Sequence, residues 1–489
     1  MKLENESKLL NIYVPVLLFL IAFCWKFFYI SQRDLCLDEP FSVFNAQKSI
    51  ADILKIPAQG EPNPPLFMIL LHFWIKLFGL ETTSLRILPL LFNAVTVIFI
   101  YLTGKRFFGL WTGLIASALF LFSTFQFYHG LEARTYSLLS MATAASLYFF
   151  MQYANNINNY KALTGLILSN ILLVYSHYFG WFVVFSQILT SFIYIRNFRM
   201  FFRFMMPFLG TAVGFLPMVP IIIRQFEKST RIGTWVKPPK ATDYLEHIQY
   251  FLNHKEVFWL LMYIFAAGAV FTLVMVALKK WKGLNIGVLV LLIWWLVPYS
   301  IMFLISFKIP MFTAKYLLFN SIGMYVFIAA MINFLFQKHK YIEPAVGLLL
   351  VVSMYLHLKI LPDYFAYREV RNSVEFVKNH ENDKSIVLIY PPWTDFSFNY
   401  YYDRSIFEDH QDYYVTMFKN DLYRVWGLEN AQTVIRANPD RRVIYFQDGK
   451  NNNPNEDVFG FLDSTYILIE KQFFPQTFRV GVYDPKPSK

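Results

Sequence analysis

Two adjacent carboxylates, Asp38 and Glu39, stand directly before Pro40 and an amphipathic stretch that predicts a helix over residues 41–55. A carboxylate before a proline at the first helical position is typical of a helix start, so a simple helix cap is one interpretation. The other is catalysis, because the positive end of a helix keeps Asp38 ionised and able to accept a proton. Adjacent helical residues point about 100° apart. We therefore expect one acid to react while the other binds or caps.

A second polar group lies in segment 128–139, YHGLEARTYSLL, between two apolar runs. It contains Glu132, Arg134 and Tyr136. Arginine binds phosphate and pyrophosphate oxygens through paired hydrogen bonds, so Arg134 is a candidate ligand for a phosphate group. An ordinary interfacial belt, in which Glu132 and Arg134 form an ion pair, is the competing interpretation.

Further candidates stand at corresponding ends of other apolar runs, and these are Arg86, Lys315, Tyr316, His177 and Tyr178. A single cation at such a position is most often a side chain that reaches the membrane surface, and a single histidine is most often structural. Several cations converging on one face would instead form a site for an anionic headgroup. His177 and Tyr178 would then bind substrate or a metal.

Motifs of several other enzyme classes are absent from the sequence. It has no HExxH, no Cys/His cluster and no Ser-His-Asp order, which argues against a metalloprotease or a serine hydrolase. It has no Asp-x-Asp pair of the kind that holds a metal–nucleotide sugar, and neither a GxGxxG motif nor a P-loop. A group transfer at an outward-facing site would therefore need a donor delivered in the membrane, such as a lipid-linked phosphate.

Membrane-spanning helices must position these residues. Only 16% of the 489 residues are charged and 56% are hydrophobic, whereas soluble domains carry about 25% charged residues. The net charge of +11 comes from short basic groups between apolar runs, which indicates membrane orientation and not nucleic-acid binding. The two cysteines, Cys24 and Cys36, imply no disulfide framework.

About eleven apolar runs approach the roughly 20 residues that cross the hydrocarbon core. With the N-terminus inside, the inner connections are basic and lack acids; their cations are Lys105, Arg106, Lys161, Arg196, Arg199, Arg203, Lys279, Lys280, Lys282, Lys338 and Lys340. This orientation requires that residues 64–79, which contain His72 and Lys76, form an interfacial helix that does not cross. The candidate site residues then face away from the cytoplasm.

From about Pro362 the composition becomes more polar, and strand-like runs appear at 385–390, 441–446, 466–470 and 478–484. Helical patterns lie between them at 367–380 and 429–437. We predict a mainly α, polytopic membrane protein with two domains. Residues 1–361 form the transmembrane domain, with a first outer loop at 31–83, and residues 362–489 form a small extracytoplasmic α/β domain.

The order of short motifs resembles a known family. The motifs are LDEPFS, NPPLFMILLHFW, LFGLETTSLRILPLLFNA, KRFFG, FYHGLEARTYSLL, SHYFG and KYLLF. They are similar to those of the GT-C membrane glycosyltransferases, in the superfamily of protein O-mannosyltransferases and lipid A aminoarabinose transferases. The resemblance covers roughly residues 9–320, and each motif alone is weak. One departure is Asn63, where many relatives have histidine before the paired prolines, so a role or metal contact of that histidine does not carry over.

The resemblance implies an integral membrane enzyme that uses a polyprenyl-phosphate sugar and usually inverts the anomeric centre. It implies interfacial helices at 41–55 and 64–79 in the first outer loop, and it implies that Asp38 is the catalytic base or a group that positions the acceptor. From the acidic pair itself we predict Glu39 as the second catalytic residue. Outer cations would hold the donor phosphate, which points to Arg86, Arg134 and Lys315.

The resulting hypothesis is sugar transfer to an extracytoplasmic acceptor, which is a lipid, a glycan or a protein. The sugar and acceptor pocket would be shaped by Glu132, Tyr136, His177, Tyr178 and Tyr316. The expected partners are the polyprenyl-phosphate sugar donor, membrane lipid and the acceptor, with no nucleic acid. A divalent metal stays open as a cofactor.

Three other functions compete with this hypothesis. A flippase or transporter of a lipid-linked glycan would share the spans and the cationic cavity, but transporters commonly show internal repeats and polar sites at mid-membrane. Here the polar residues gather at one face and no repeat is visible. An O-antigen-type polymerase or ligase would place its key residues in large later loops. A structural membrane protein with a receptor-like outer domain has least support.

Overall fold

The computed structural model describes residues 9–232, 236–278, 285–336, 341–360, 368–449, 457–474 and 477–487. The basic residues Lys279, Lys280, Lys282, Lys338 and Lys340 lie outside the described residues. The chain divides into two compact units. The helical unit comprises Met1–Phe28, Leu54–Leu70 and Arg86–Leu361, and the sheet unit comprises Tyr29–Ile53, Leu71–Leu85 and Pro362–Lys489.

Helices dominate the described chain. As far as Tyr194 they are α1 (Val14–Phe27), α2 (Asp38–Ala46), α3 (Ile50–Ile53), α4 (Ile56–Gln59), α5 (Leu66–Phe78), α6 (Thr82–Phe107), α7 (Leu110–Leu121), α8 (Thr124–His129), α9 (Tyr136–Asn155), α10 (Tyr160–Ser176) and α11 (Gly180–Tyr194). As far as Leu356 they are α12 (Phe198–Phe215), α13 (Val219–Ile232), α14 (Asp243–Phe251), α15 (Lys255–Ala277), α16 (Ile286–Ser306), α17 (Leu318–Leu335) and α18 (Ile342–Leu356).

Six segments of the described chain are long and apolar enough to cross a membrane, namely Leu10–Phe27, Thr82–Phe107, Phe198–Gln225, Lys255–Ala277, Ile286–Ser306 and Ala314–Leu335. Five shorter apolar helices accompany them: Leu66–Phe78, Leu110–Leu121, Tyr160–Ser176, Gly180–Tyr194 and Ile342–Leu356. The chain is thus an integral membrane protein with the predicted mainly helical, polytopic fold. The exact number of spans and the orientation of the termini stay predictions.

Small residues let helices α6 and α7 approach closely. A Cβ atom on Gly104 would lie 2.6 Å from the Cα of Gly113, and a Cβ on Gly113 would lie 2.7 Å from the carbonyl oxygen of Tyr101. Lipid-embedded helices lack a hydrophobic driving force between them, so close backbone packing at small residues supplies much of their attraction.

Polar side chains join three helices inside the helical unit. The Asn170 amide on α10 donates to Gln187 on α11 at 2.8 Å, and Gln187 donates to Ser146 on α9 at 2.6 Å. Ser146 in turn donates to Asn170 at 2.6 Å. All three residues are buried. Such a closed triad sets the rotation of each helix, because a turned helix would leave polar atoms buried without partners.

The sheet unit is built on five strands, β1 (Ser385–Tyr390), β2 (Leu422–Arg424), β3 (Arg442–Asp448), β4 (Ile467–Phe473) and β5 (Phe478–Asp484), in the order β2-β1-β3-β5-β4. Strand β1 is parallel to β2 and β3, whereas β5 is antiparallel to both β3 and β4. Around the sheet lie α19 (Val370–His380), α20 (Asp395–Tyr402), α21 (Arg404–Glu408), α22 (Tyr413–Lys419), α23 (Leu428–Ala437) and α24 (Val458–Thr465).

Strand positions agree closely with the sequence pattern. Strands β1 and β5 have the predicted bounds, and β3 and β4 begin one residue later than expected. The central strand β1 is buried from Ser385 to Ile389 and reads as a continuous apolar run, as expected for a strand covered on both faces. The predicted helix 367–380 is observed as Val370–His380; residue 367 lies outside the described residues.

Segments of the first loop belong to the sheet unit. The ring of Phe44 on α2 lies 4.6 Å from Phe396, 5.7 Å from Phe407 and 4.7 Å from Tyr413, all centre to centre. The backbone N–H of Leu35 donates to the Tyr401 hydroxyl at 2.6 Å. The predicted domain boundary at residue 362 stays a prediction, but the compact unit also takes in these earlier residues.

One helix prediction is wrong. The expected helix 41–55 is two short helices, α2 and α3, and α2 already begins at Asp38, so both acids lie within its first turn. The chain breaks after α2 because Ser49 starts a new turn, accepting from the Asp52 N–H at 3.2 Å. Helix α4 begins at Ile56, beyond the predicted helix, with Pro57 in its first turn. The second helix of the loop is observed at Leu66–Phe78; its position along the membrane surface stays a prediction.

Candidate active site

A buried ion pair forms the centre of the polar region in the helical unit. Glu61 follows α4, and Arg134 precedes α9; both are about 7% exposed. An Nη2 hydrogen of Arg134 points to Glu61 Oε1 at 3.3 Å, and the Asn63 amide donates to the same oxygen at 2.6 Å. Charges taken out of water attract each other strongly, and each depends on its partner. Arg134 is therefore a cation whose charge Glu61 partly neutralises.

Gln225 and Tyr178 extend this network. The Gln225 amide donates to the carbonyl oxygens of Glu61 at 2.6 Å and Pro57 at 2.8 Å, and it accepts from the Tyr178 hydroxyl at 2.7 Å. Burial raises the pKa of Tyr178, so the phenol keeps its proton at neutral pH. These bonds fix the backbone on both sides of Glu61 and orient its carboxylate.

His177 lies among aromatic rings in the connection between α10 and α11. Its ring centre is 5.9 Å from that of Tyr316 and 6.4 Å from that of Tyr136, and its Nδ1 accepts from the Phe179 N–H at 3.1 Å. Burial, assisted by the nearby Arg134 charge, lowers the pKa of His177 to about 3. The neutral ring therefore carries its proton on Nε2 and can donate one hydrogen bond to a substrate.

The remaining predicted site residues of the helical unit have different neighbours and different degrees of burial. Glu132 pairs with His129 at 3.4 Å, and Lys315 Nζ lies 5.7 Å from the ring centre of Tyr316. Arg86, near the start of α6, is fully buried. A guanidinium kept out of water needs compensating partners, so Arg86 is built into the helical unit and does not reach the surface as an anchor.

The acidic pair belongs to the sheet unit. Asp38 is half-buried at the first position of α2, and Glu39 beside it is 4% exposed. The Ser42 hydroxyl donates to the backbone oxygen of Asp38 at 3.3 Å. The half-buried acid is the more accessible of the two and stands at the positive helix end, which favours its ionised form.

Three residues of the network were missed by the sequence reasoning: Glu61, Asn63 and Gln225. Glu61 carried a signal, since an acid stands directly before Pro62, Asn63 and the paired prolines. Asn63 was noted only as a departure from relatives, and the structure gives it a direct bond to Glu61. Nothing in the sequence marks Gln225, because its role depends on chain segments far from it.

The sheet unit contains a polar cleft of about 770 Å³, lined by Glu81, Thr82, Arg371, Lys378, Glu381, Tyr400, Tyr401, Tyr402, Asp403 and Arg404. Each of its three consecutive tyrosines has a cation near its ring. Arg404 lies 3.6 Å from the centre of Tyr400, Arg371 lies 5.4 Å from Tyr401, and Lys378 lies 5.6 Å from Tyr402. The Tyr402 hydroxyl also bonds Glu381 at 3.0 Å.

A second buried acid in the sheet unit is Asp395, at the start of α20. It is inaccessible to solvent and lies 3.0 Å from Arg424. Burial raises the pKa of Asp395 to about 7, although Arg424 and a backbone hydrogen bond oppose this shift. The carboxyl group is thus half-protonated near neutral pH.

Part of the chain matches a known family, and its fold resembles those of solved proteins. Residues 62–223 match the family model described as dolichyl-phosphate-mannose-protein mannosyltransferase. ArnT from Cupriavidus metallidurans in the apo state has the same fold, with a TM-score of 0.59 at 11% identity over 98% of both chains. The Archaeoglobus fulgidus oligosaccharyltransferase in the apo form has a TM-score of 0.53 at 11% identity, over 89% of this chain and 70% of that one. No curated protein matches.

The predicted resemblance to the GT-C membrane glycosyltransferases is therefore confirmed over residues 62–223 by the family match, and the fold of the chain is shared with ArnT. The matched residues include Arg86, Arg134, His177 and Tyr178. The roles of the individual site residues stay predictions.

Proposed function

We propose that this protein transfers a sugar from a polyprenyl-phosphate donor to an extracytoplasmic acceptor. The observation that carries the proposal is the buried cluster of Arg134, Glu61, His177, Tyr136 and Tyr316 at helix ends of a GT-C fold. The Arg134 cation can bind a phosphate, and the neutral His177 ring can donate a hydrogen bond to a sugar. The rings of Tyr136 and Tyr316 offer aromatic surface for the sugar to pack against.

The donor class is supported by what the similar structures contain. One structure of ArnT from Cupriavidus metallidurans is bound to undecaprenyl phosphate, with a TM-score of 0.59 at 11% identity over 96% of this chain and 97% of that one. The archaeal enzyme AglB from Archaeoglobus fulgidus has been solved with a dolichol-phosphate. Both ligands are long-chain polyprenyl phosphates, which is the donor type that the sequence motifs imply.

In the proposed reaction Asp38 accepts the proton of an acceptor hydroxyl, whose oxygen attacks the anomeric carbon of the sugar. The new bond joins that oxygen to the anomeric carbon, and the bond from the anomeric carbon to the phosphate oxygen breaks. The electron pair leaves with the polyprenyl phosphate. A single displacement of this kind inverts the anomeric centre.

Negative charge develops on the departing phosphate, and cations placed there in advance lower the barrier. We assign this role to Arg134 and Lys315, and to Arg86 as a fully buried cation that adds positive charge from within the helical unit. Glu61 then acts as a positioning residue that holds the Arg134 guanidinium in one orientation. Glu39, Glu132, Tyr136, His177, Tyr178 and Tyr316 shape the sugar and acceptor pocket.

We further propose that the N-terminus is cytoplasmic and that residues 362–489 are extracytoplasmic. The support is the charge distribution, since Lys105 and Arg106 lie in the last turn of α6 and Arg196 lies in the connection between α11 and α12. The reaction then takes place where nucleotide sugars are absent and lipid-linked donors are present.

The test replaces the proposed base. Asp38→Asn, purified in detergent and given a polyprenyl-phosphate sugar with membrane acceptors, should lose about 10²- to 10⁴-fold in kcat, the usual contribution of a general base. Asp52→Asn changes an exposed acid of the same loop and should retain normal turnover.

Near-normal turnover in a well-folded Asp38→Asn protein would remove Asp38 as the base. A radiolabelled sugar distinguishes transfer from transport, because a transferase makes a new glycosidic bond. Movement of the intact lipid-linked sugar across a vesicle membrane without such a bond would contradict the proposed function.

A further inference from the structure

Two histidines and a glutamate form a compact group in the helical unit, apart from the residues discussed above. Among the described residues, His254, Glu256 and His357 are a group whose nitrogen and oxygen ligand atoms all lie within 4.8 Å of one another. His357 Nε2 is 3.3 Å from Glu256 Oε2, and His254 Nδ1 is 3.9 Å from the same oxygen. We propose that this group binds a divalent transition-metal ion of the Zn²⁺ type.

The ligand set and its spacing fit such an ion. Imidazole and carboxylate groups together suit zinc and its neighbours, whereas magnesium and calcium prefer oxygen ligands alone. Ligand atoms about 2.0–2.1 Å from a tetrahedral zinc ion lie about 3.3 Å apart. The His357–Glu256 distance already has this value. His254 Nδ1 accepts from the Glu256 N–H at 3.3 Å, so this nitrogen carries no proton. Glu256 is two-thirds exposed, so its carboxylate can rotate to close the remaining distance.

His357 is oriented as a metal ligand. Its Nδ1 lies 2.9 Å from the Ser353 carbonyl oxygen one turn earlier in α18. A carbonyl can only accept, so Nδ1 carries the ring proton and Nε2 presents a lone pair towards Glu256. Histidines that bind metals are commonly held in this way by a backbone carbonyl on the other ring nitrogen.

The two histidines are held together by the fold and not by chance contact of mobile side chains. Asn253, directly before His254, donates to the carbonyl oxygens of Phe122 at 2.7 Å and Met354 at 2.8 Å. It also accepts from the Thr124 N–H at 2.8 Å. Asn253 has φ 69°, a left-handed conformation that asparagine tolerates better than most residues. The bond to Met354 connects the start of α15 to the end of α18, and the other two connect it to the junction of α7 and α8.

The rings of His254 and His357 accordingly lie 4.8 Å apart with planes only 14° from parallel. A bound metal joins the ends of two helices that are distant in sequence, so the proposed role is a structural clip within the helical unit. The ion is not assigned to the transfer reaction.

The experiment uses the full chain in detergent, purified through a tag without histidine and stripped with a chelator. Equilibrium dialysis against Zn²⁺, with metal measured by mass spectrometry, should give one equivalent per chain at a site that excess Mg²⁺ does not compete for. His254→Asn and His357→Asn should each weaken binding by at least the 10- to 100-fold that loss of a supporting partner costs. Glu256→Gln, at an exposed position, tests the third ligand with little risk to folding.

A matched control exists in the sheet unit. His380 has its Nδ1 2.8 Å from the Phe376 carbonyl oxygen and its Nε2 3.0 Å from Glu470, the same arrangement as His357 but without a second histidine. His380→Asn should leave Zn²⁺ affinity unchanged.

Thermal unfolding supplies the second measurement. Zn²⁺ should raise the Tm of the unaltered protein and of His380→Asn, but not the Tm of His357→Asn, because only a native-state ligand stabilises by mass action. The proposal is overturned if the unaltered protein binds no more Zn²⁺ than His254→Asn/His357→Asn, which would leave the group as an ion pair only. It is also overturned if His380→Asn loses as much affinity as His357→Asn.

Discussion

Two regions of the molecule, the buried ion pair of the helical unit and the cleft of the sheet unit, hold their charged groups in opposite ways. In the helical unit, Arg134 and Glu61 are both nearly buried, and Asn63 bonds the same carboxylate. In the sheet-unit cleft, Lys378 is exposed and lies over the ring of Tyr402. Water screens the cleft charges, whereas the buried pair depends on protein groups alone. Charged residues of similar types therefore depend strongly on one another for stability in the buried pair, whereas in the cleft each can be replaced at little cost to stability.

The largest expected loss of stability follows from a substitution in the buried ion pair of Glu61 and Arg134. Glu61→Gln removes a carboxylate that pairs with the buried Arg134, and breaking a buried ion pair from one side should lower stability by about 3–5 kcal/mol. Thermal unfolding in detergent measures this as a large fall in Tm. Adding Arg134→Gln should recover part of the loss, because no charge is then left uncompensated. Strictly additive effects of the two substitutions would contradict the coupling.

A buried acid of the sheet unit should show a smaller, pH-dependent effect. The pKa of Asp395 is about 7 in the folded protein against an ordinary value of 3.8, so the folded state binds this proton more tightly. Stability contributed by the protonated form is present at low pH and is lost as pH rises from about 4 to about 7.

Relative to Asp395→Asn, the unaltered protein should therefore lose about 2–3 kcal/mol between pH 5 and pH 8. Unfolding of both proteins at several pH values measures the difference. Asp383→Asn, at an exposed turn position, is the control and should show no such trend. A difference that stays constant with pH would show that Arg424 fully compensates the Asp395 carboxylate.

The smallest effect is expected in the cleft. Lys378→Ala removes a cation from the face of Tyr402 and should cost about 0.5–1 kcal/mol, the usual value for an exposed cation–π contact. Lys384→Ala, another exposed lysine of the sheet unit, should cost less still. A loss as large as that of Glu61→Gln would remove the contrast between the two regions.

Predictions from sequence succeeded where local pattern carries the information. Strand β1 at 385–390 and strand β5 at 478–484 were located by their apolar and β-branched runs. Strand β2, Leu422–Arg424, has only three residues and was missed because so short a segment has no period. The helix expected at 41–55 is divided between α2 and α3, because the turn that begins at Ser49 outweighed the apolar spacing.

The candidate site was predicted only in part, for a related reason. Arg134, His177 and Tyr316 were selected for their residue types at the ends of apolar runs, and the structure groups them. Glu61 was not selected as a site residue, because an acid beside prolines in a loop is normally expected to be exposed to solvent. Its burial depends on Arg134 and Gln225, which stand 73 and 164 residues away.

By itself, the sequence determined that this chain enters a membrane, how its sheet strands lie along the chain, and which class of enzyme it resembles. Composition, hydrophobic period and short motifs are local properties, and they can be recognised in the sequence without knowing which residues are in contact. Only the tertiary structure decided that Arg134 shares its charge with Glu61, that Arg86 is fully buried, and that His254 and His357 meet near Glu256. Burial and pairing decide these roles, because both set the electrostatic cost of each charge.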